Sequence, residues 1–143
     1  MSIVVRELAP HVVELRLDRP ERMNALSVAM VEAMAEALAG IAAGKARILV
    51  ISASGRAFCA GADLKERREM DAAQRLAHNA GINAAINAVA ALPMPTLAAI
   101  NGAALGGGCE LALACDLRIA ALEASIGLTE RRIGVYPAAG GIK

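Results

Sequence analysis

The stretch that most constrains the fold of this chain runs from residue 95 to residue 116. Its apolar run Thr96–Ile100 follows a proline and stops at an Asn-Gly pair, which is typical of a short buried strand that ends in a turn. Three consecutive glycines, 106–108, then lead into the apolar run 109–115, which predicts a helix that begins at about residue 108. Because a glycine-rich turn before a helix presents unpaired backbone N–H groups, this unit predicts a place where a negatively charged oxygen is stabilised.

Glu110 lies in the first turn of that predicted helix and has no basic residue near it in sequence. The helix dipole favours a carboxylate at this position even when it has no function. The neighbours of Glu110 are apolar, however, which indicates a desolvated side chain suited to proton transfer. Backbone donors and a carboxylate about one helical turn apart therefore suggest an active site.

The rest of the chain alternates between strand and helix patterns. The predicted order is a hairpin from segments 2–8 and 11–18, a helix over 27–43 capped by Ser27, a strand over 48–52, a helix over 71–91, the strand 96–100, the helix 108–115 and a strand over 117–121. Strands separated by helices predict an α/β fold with parallel strand pairing. At this length we expect one domain, residues 1–143, which buries about two-thirds of its unfolded surface.

Two helices show separate faces. In the first, Met30, Met34, Leu38 and Ile41 fall on one side. In the helix over 71–91, one predicted stripe consists of Asn79, Asn83 and Asn87, and another consists of Leu76, Ile82, Ile86 and Val89.

A second small-residue turn, residues 54–63, follows the strand over 48–52 and contains Gly61, Ala62 and Asp63. Two backbone donors from separate turns are able to clamp one carbonyl oxygen, and such donors are often the largest single contribution to catalysis. The alternative is that both turns are tight connections in which glycine supplies a positive φ. Local sequence does not decide between these two interpretations.

Several other classes of function fit poorly. The glycines match neither a Walker loop nor a dinucleotide fingerprint, and His11 and His78 lie near no serine-hydrolase motif, so both are interpreted as surface or structural residues. A net charge of +1 and only two aromatic residues give no reason to expect nucleic acid. The longest uncharged stretch, 79–109, contains asparagines and prolines, so we expect no membrane span.

The three cysteines, Cys59, Cys109 and Cys115, form no CxxC pair and lie among small apolar residues. This pattern predicts free buried thiols and no metal site. Free thiols favour a reducing compartment, and we expect the chain to be cytoplasmic, with an organelle matrix as the alternative.

Four segments together closely resemble the enoyl-CoA hydratase/isomerase, or crotonase, superfamily. They are LDRPERMNALS (17–27), GRAFCAGADLKER (55–67), PTLAAINGAALGGGCELALACDLRIA (95–120) and GLTERRIGVYPAAGG (127–141). Within the superfamily, the segment ADLKER is most similar to short-chain enoyl-CoA hydratases and methylglutaconyl-CoA hydratases. The resemblance implies a crotonase-like spiral of ββα units, truncated here because members continue past residue 143 into C-terminal helices.

The resemblance also implies roles for single residues. The N–H groups of Ala62 and Gly107 would form an oxyanion hole for an acyl-CoA thioester, and Glu110 and Glu130 would be the two catalytic glutamates. Judged by its local sequence alone, Glu130 belongs to a solvated charge cluster, and no spacing brings it to Glu110. Residues expected to contact coenzyme A are Arg22, Ala60, Ala62, Asp63, Leu64, Lys65 and Gly107.

The function implied in this way is the reversible hydration of a 2-enoyl-CoA to a 3-hydroxyacyl-CoA, with no metal and no cofactor beyond the coenzyme A of the substrate. The expected assembly is a homotrimer or a dimer of trimers. The alternatives are an enoyl-CoA isomerase or acyl-CoA hydrolase of the same fold, or an inactive fragment that binds coenzyme A or oligomerises.

Overall fold

The structure is a computed structural model that describes residues 2–130 and Gly134. Strands and helices alternate along these residues. In chain order they are β1 (Ile3–Ala9), β2 (Val12–Leu17), α1 (Val28–Ala43), β3 (Ile48–Ala53), β4 (Ala57–Cys59), α2 (Leu64–Arg68), α3 (Ala72–Ala90), β5 (Thr96–Ile100), β6 (Ala103–Leu105), α4 (Gly107–Ala114), β7 (Leu117–Ala120) and β8 (Ile126–Gly127). The predicted α/β class is confirmed.

The strands form two sheets. The larger sheet has the order β1-β2-β3-β5-β7, in which only β1 and β2 are antiparallel, so the predicted hairpin and the predicted parallel pairing are both correct. The smaller sheet has the order β4-β6-β8, and all of its strands are parallel. From β3 onward, consecutive strands alternate between the two sheets. Repeated units of two strands and a helix therefore carry the chain forward.

The sequence-based prediction missed the whole of the smaller sheet. Strands β4 and β6 have three residues each, and both lie inside segments that were predicted to be turns. Strand β8 has two residues and lies in a segment predicted to be a loop. Such short strands show no period-two pattern, and only pairing with distant residues stabilises them.

The first three α-helices begin at capping side chains. The hydroxyl of Ser27 accepts a hydrogen bond from the Met30 N–H at 3.2 Å, which confirms the predicted cap of α1. Asp71 and Gln74 form a reciprocal capping box at the start of α3. The charged segment after Asp63 forms the short helix α2, which was not predicted.

The core lies between the larger sheet and the helices. Met30, Met34, Leu38 and Ile41 of α1 are buried, as predicted, against sheet residues such as Leu15, Leu17, Leu49 and Ile51. Of the apolar stripe predicted for α3, Ile82, Ile86 and Val89 are buried together, but Leu76 is 72% exposed and does not share their face. The reason is angular: Leu76 precedes Ile82 by six residues, which at 100° per residue places it well off the buried stripe.

All three cysteines are free and buried, as predicted. Burial raises the pKa of the Cys59 thiol to about 12 and that of the Cys115 thiol to about 11. Within residues 2–130, no helix combines the length and the apolar character that crossing a membrane requires.

The loop between β2 and α1 is attached to the start of α2 by a partly buried ion pair. Arg19 Nη1 donates to Asp63 Oδ2 at 2.7 Å and to the Ala25 carbonyl at 3.1 Å. Asp63 Oδ1 accepts from the N–H groups of Lys65 and Glu66, so Asp63 is also the N-cap of α2. Burial by itself would raise the pKa of Asp63, but the hydrogen bond from Arg19 and those from the two N–H groups outweigh it, and the pKa lies below its ordinary value.

This ion pair makes part of the stability dependent on pH. Because the pKa of Asp63 is depressed by folding, its contribution is present above the unfolded-state value, near 3.8, and is lost as the pH falls through the lower folded-state value. We expect Asp63→Asn to lower the free energy of unfolding by roughly 1–3 kcal/mol at pH 7. In urea titrations at a series of pH values, the difference between wild type and variant should shrink as the pH falls below about 4. A difference that stays constant with pH would show that the charge of Asp63 contributes nothing.

Two helical glycines provide a matched test of packing. A Cβ added at Gly108 in α4 would lie 2.1 Å from the Cys59 carbonyl oxygen, whereas a Cβ at Gly40 in α1 would meet nothing within 4 Å. We expect Gly108→Ala to destabilise the fold by roughly 3 kcal/mol through backbone displacement. Gly40→Ala should instead stabilise it by roughly 0.5–1 kcal/mol through helix propensity. Thermal unfolding followed by circular dichroism measures both, and equal effects would contradict the close packing of α4 on β4.

Candidate active site

The two small-residue turns meet because the strands before them pair. Strands β4 and β6 are parallel, with Ala57 beside Ala103 and Cys59 beside Ala104, so the segments that follow them leave the sheet at the same edge. The contact between these segments is backbone against backbone. A Cβ added at Gly61, where φ is +87°, would lie 2.9 Å from the Leu105 carbonyl oxygen and 3.2 Å from the Gly107 nitrogen. A glycine at position 61 is therefore required both by its φ and by its neighbour.

Hydrogen bonds on both sides of Ala62 orient the first turn. The Leu26 N–H donates to the Gly61 carbonyl at 2.8 Å, and the Asp63 N–H donates to the Leu26 carbonyl at 3.0 Å, which forms a parallel bridge between Leu26 and Ala62. In a parallel bridge of this kind, the residues on either side of Ala62, and not Ala62 itself, make the hydrogen bonds to Leu26. The N–H of Ala62 therefore points away from Leu26. At the other turn, Gly107 is the first residue of α4, and its N–H belongs to the helix end that has no intrahelical acceptor.

Glu110 and Glu130 approach the glycine turn from two directions. Glu110 lies in the first turn of α4, is 5% exposed, and its backbone N–H donates to the Gly106 carbonyl at 3.0 Å. Glu130 is brought close by the pairing of β6 with β8, in which the Gly106 N–H donates to the Gly127 carbonyl at 3.0 Å. A Cβ added at Gly106, where φ is +54°, would lie 3.0 Å from Glu130 Oε1. A side chain at position 106 would therefore displace this carboxylate.

Two further observations describe the surroundings of these carboxylates. Glu130 Oε2 is buried and has no hydrogen-bond partner among the residues that the structure describes. Burial raises the pKa of the Cys109 thiol, and the charges of Glu130 and then Glu110 raise it further, so both carboxylates lie near this one side chain. The protonated thiol is consequently no competitor for their acid/base chemistry.

A single cavity of about 130 Å³ connects these groups. Ala62 and Gly107 line it from the two turns, and Glu110 and Glu130 line it from α4 and from the segment after β8. Ala60 and Leu64, two of the residues expected to contact coenzyme A, also line this cavity. Two backbone N–H groups and two carboxylates around a small cavity are suited to proton transfer next to a developing oxyanion.

The remaining residues predicted to contact coenzyme A lie outside this cavity. The Asp63 carboxylate is directed into the protein, towards Arg19 and the start of α2, and is 5% exposed. Lys65 and Arg22 are exposed to solvent, Arg22 at the end of a short 3₁₀ helix, Pro20–Arg22. Contact between these side chains and coenzyme A stays a prediction.

Sequence reasoning missed several cavity residues. Asn79 and Asn83 of α3 line the cavity, together with Arg67 and Thr129. The asparagine stripe of α3 was a usable signal, since neutral amides recurring on one face of a long helix can line a polar cavity as well as face solvent. Asn87, the third member of the stripe, is exposed. Arg67 and Thr129 have no comparable local signal.

Metal binding has no support in the described part of the chain. Over residues 2–130 and Gly134, no group of three or more His, Cys, Asp or Glu side chains is arranged to hold an ion. This finding does not test the expectation of a metal-free site, which stays a prediction.

Known proteins share both this sequence and this fold. A family profile described as enoyl-CoA hydratase/isomerase matches residues 7–143. The chain is 46% identical over 140 residues to the enoyl-CoA isomerase/hydratase fer4 of Mycosarcoma maydis, a match that covers 91% of this chain and 51% of that protein. It is 42% identical over 132 residues to the human mitochondrial methylglutaconyl-CoA hydratase, which covers 91% of this chain and 39% of the relative.

The structural comparison agrees with the sequence comparison. The crystal structure of an enoyl-CoA hydratase from Bacillus anthracis superposes with a TM-score of 0.96 at 45% identity, over 99% of this chain and 55% of that one. An enoyl-CoA hydratase from Mycobacterium smegmatis gives a TM-score of 0.91 at 35% identity. The chain thus spans about half the length of the relatives it matches, and over that span it has the crotonase fold. It belongs to the enoyl-CoA hydratase/isomerase family.

Proposed function

We propose that this chain carries the active site of an enoyl-CoA hydratase, which adds water reversibly across the C2–C3 double bond of a 2-enoyl-CoA. The observation that carries the proposal is that Ala62, Gly107, Glu110 and Glu130 line the same small cavity. These residues come from three separate segments of the chain, since Gly107 and Glu110 share the first turn of α4 whereas Ala62 and Glu130 lie elsewhere. Their convergence is therefore not a by-product of one local motif.

The first requirement of the reaction is to polarise the thioester. The N–H groups of Ala62 and Gly107 would donate to the thioester oxygen and hold the negative charge that develops there when C3 is attacked. Support comes from the bridge geometry at Leu26 and from the position of Gly107 at the start of α4. Removing one such donor typically costs about 3 kcal/mol of transition-state stabilisation.

The second requirement is to position and activate one water molecule. In the proposed reaction, Glu110 takes a proton from this water as its oxygen bonds to C3, and Glu130 donates a proton to C2 as the double bond is lost. The same steps in reverse dehydrate a 3-hydroxyacyl-CoA. The buried, unpartnered Oε2 of Glu130 supports this role, because a buried carboxylate oxygen is stabilised when it gains a hydrogen-bond partner.

The same proposal covers the substrate, the compartment and the assembly. The substrate would be an acyl-CoA, with coenzyme A as part of the substrate and no other cofactor, and the compartment would be the cytoplasm. The proposed assembly is a homotrimer or a dimer of trimers. Apolar side chains exposed around β7, among them Leu117, Ile119 and Leu122, favour burial of this surface in an assembly or by further chain.

The proposal predicts the effect of removing either carboxylate. Glu110→Gln and Glu130→Gln should each lower kcat for crotonyl-CoA hydration by 10²- to 10⁴-fold, because each removes one proton-transfer group. The exposed Glu36 on α1 provides a matched control, and Glu36→Gln should leave turnover unchanged. The measurement is the loss of enoyl-thioester absorbance, with the hydroxyacyl product identified by mass spectrometry. Unaltered turnover in either single variant would refute the assigned roles.

A second candidate, enoyl-CoA isomerisation, is favoured by the relative named isomerase/hydratase. An isomerase moves a proton between C2 and C4 and adds no water. Separate incubations with a 3-enoyl-CoA and with crotonyl-CoA distinguish the two. Conversion of the 3-enoyl-CoA to the 2-enoyl-CoA would favour the isomerase. An unchanged 3-enoyl-CoA, together with formation of a 3-hydroxyacyl-CoA from crotonyl-CoA, would favour the hydratase.

A further inference from the structure

His78 is a buried histidine that the proposed chemistry does not use. It lies in the first half of α3, is 4% exposed, and its Nε2 is 3.0 Å from the Leu26 carbonyl oxygen. A carbonyl oxygen only accepts hydrogen bonds, so Nε2 must carry the proton and donate it. The other ring nitrogen, Nδ1, is buried and has no partner among the described residues.

These contacts define one protonation state of the ring. A doubly protonated imidazole would place an unpaired Nδ1–H in the interior, whereas the neutral ring with its hydrogen on Nε2 leaves only an unpaired acceptor. Burial, and after it the charge of Arg67, lowers the pKa of His78, which agrees with a neutral ring. His78 therefore offers one fixed donor, and that donor faces Leu26.

The carbonyl that His78 holds belongs to the residue that orients the Ala62 turn. The Leu26 carbonyl accepts from the Asp63 N–H as well as from His78, and the Leu26 N–H donates to the Gly61 carbonyl. The same residue reaches the second turn through its side chain, since Leu26 Cδ1 lies 3.4 Å from the position of a Cβ on Gly107. Leu26 thus contacts both turns that would supply the oxyanion donors.

Helix α3 links this contact to the cavity. Ile82, four residues after His78, lies 3.8 Å from the position of a Cβ on Gly107, and Asn79 and Asn83 line the cavity. His78 also lines a separate cavity of about 590 Å³, which is lined by none of the four proposed active-site residues. The imidazole is therefore placed behind the oxyanion turn and does not touch the reacting atoms.

We infer that His78 is a positioning residue of the oxyanion hole: its Nε2–H holds the Leu26 carbonyl, and through the Leu26 backbone it sets the direction of the Ala62 N–H. The inference rests on the proposed function. It concerns the orientation of a donor, so it predicts an effect on the transition state that exceeds any effect on substrate binding.

The test compares donor-free and donor-bearing replacements in the full chain. His78→Phe keeps a flat ring without a donor, His78→Leu is a second donor-free variant in case Phe does not fold, and His78→Gln keeps an N–H close to the position of Nε2. We expect a donor-free variant to lower kcat for crotonyl-CoA about tenfold with KM changed less than about twofold, because donor misplacement acts mainly in the transition state. His78→Gln should restore most of kcat.

A second readout does not depend on turnover. In ¹H–¹⁵N spectra, the donor-free variants should shift the amide signals of Ala62 and Asp63, and His78→Gln should return them towards the wild-type positions. Histidine ¹⁵N signals should show His78 protonated at Nε2 and not at Nδ1. Unshifted amides, the opposite tautomer, or a thermal midpoint that falls while kcat is unchanged would each overturn the inference. Wild-type protein without turnover would instead overturn the proposed function, and the amide signals then decide the role of His78 by themselves.

Discussion

The candidate site depends on the parallel pairing of two three-residue strands, β4 and β6. This pairing brings two peptide segments so close that side chains are excluded between them at Gly61, and the following helix packs on β4 at Gly108. Glycine is needed here because of close backbone approach, and at Gly61 and Gly106 also because φ is positive. The small sheet is therefore the frame on which both turns are held.

Buried polar groups orient what this frame brings together. Arg19 and Asp63 join the loop after β2 to the start of α2, and Leu26 bonds both sides of Ala62. Asn24 is fully buried, and its amide nitrogen donates to the Ser54 and Ala57 carbonyls, which attaches the same loop to the ends of β3 and β4. Most of these groups are satisfied by backbone partners. An unsatisfied buried polar group costs roughly 1–3 kcal/mol. These contacts therefore favour the observed arrangement of the turn over any arrangement that would break them.

The electrostatics of the site follow from burial. Glu110 is nearly inaccessible and Glu130 has one buried oxygen, while burial and the charges of both carboxylates raise the pKa of the Cys109 thiol. Asp63, although adjacent in sequence to Ala62, is neutralised by Arg19 and turned away from the cavity. The Asp63 carboxylate thus has a structural role because it is paired with Arg19, whereas the Glu110 and Glu130 carboxylates line the cavity beside the turns.

Local sequence was sufficient for the larger elements. The cap at Ser27, the buried face of α1, the hairpin, the strand Thr96–Ile100 and the burial of Glu110 all follow from patterns a few residues long, because neighbouring side chains and backbone groups determine them. The triple glycine likewise indicated a helix start with free donors. Local sequence also named both turns as candidates for the donors. The resemblance to a family added the choice of Ala62 and Gly107 within them, and a role for Glu130 that no spacing in the chain predicted.

Tertiary structure decided which of these pieces meet. Strands β4, β6 and β8 are too short to show a period, and they exist because backbone groups about 20 to 50 residues apart pair with one another. That pairing places Glu130 beside Gly106 and the turn of Ala62 against Gly107. The position of His78 behind Leu26 is also a property of the fold, since a lone histidine on a helix carries no sign of its distant partner. Periodicity reports burial along one element, and it carries no information about the register between elements.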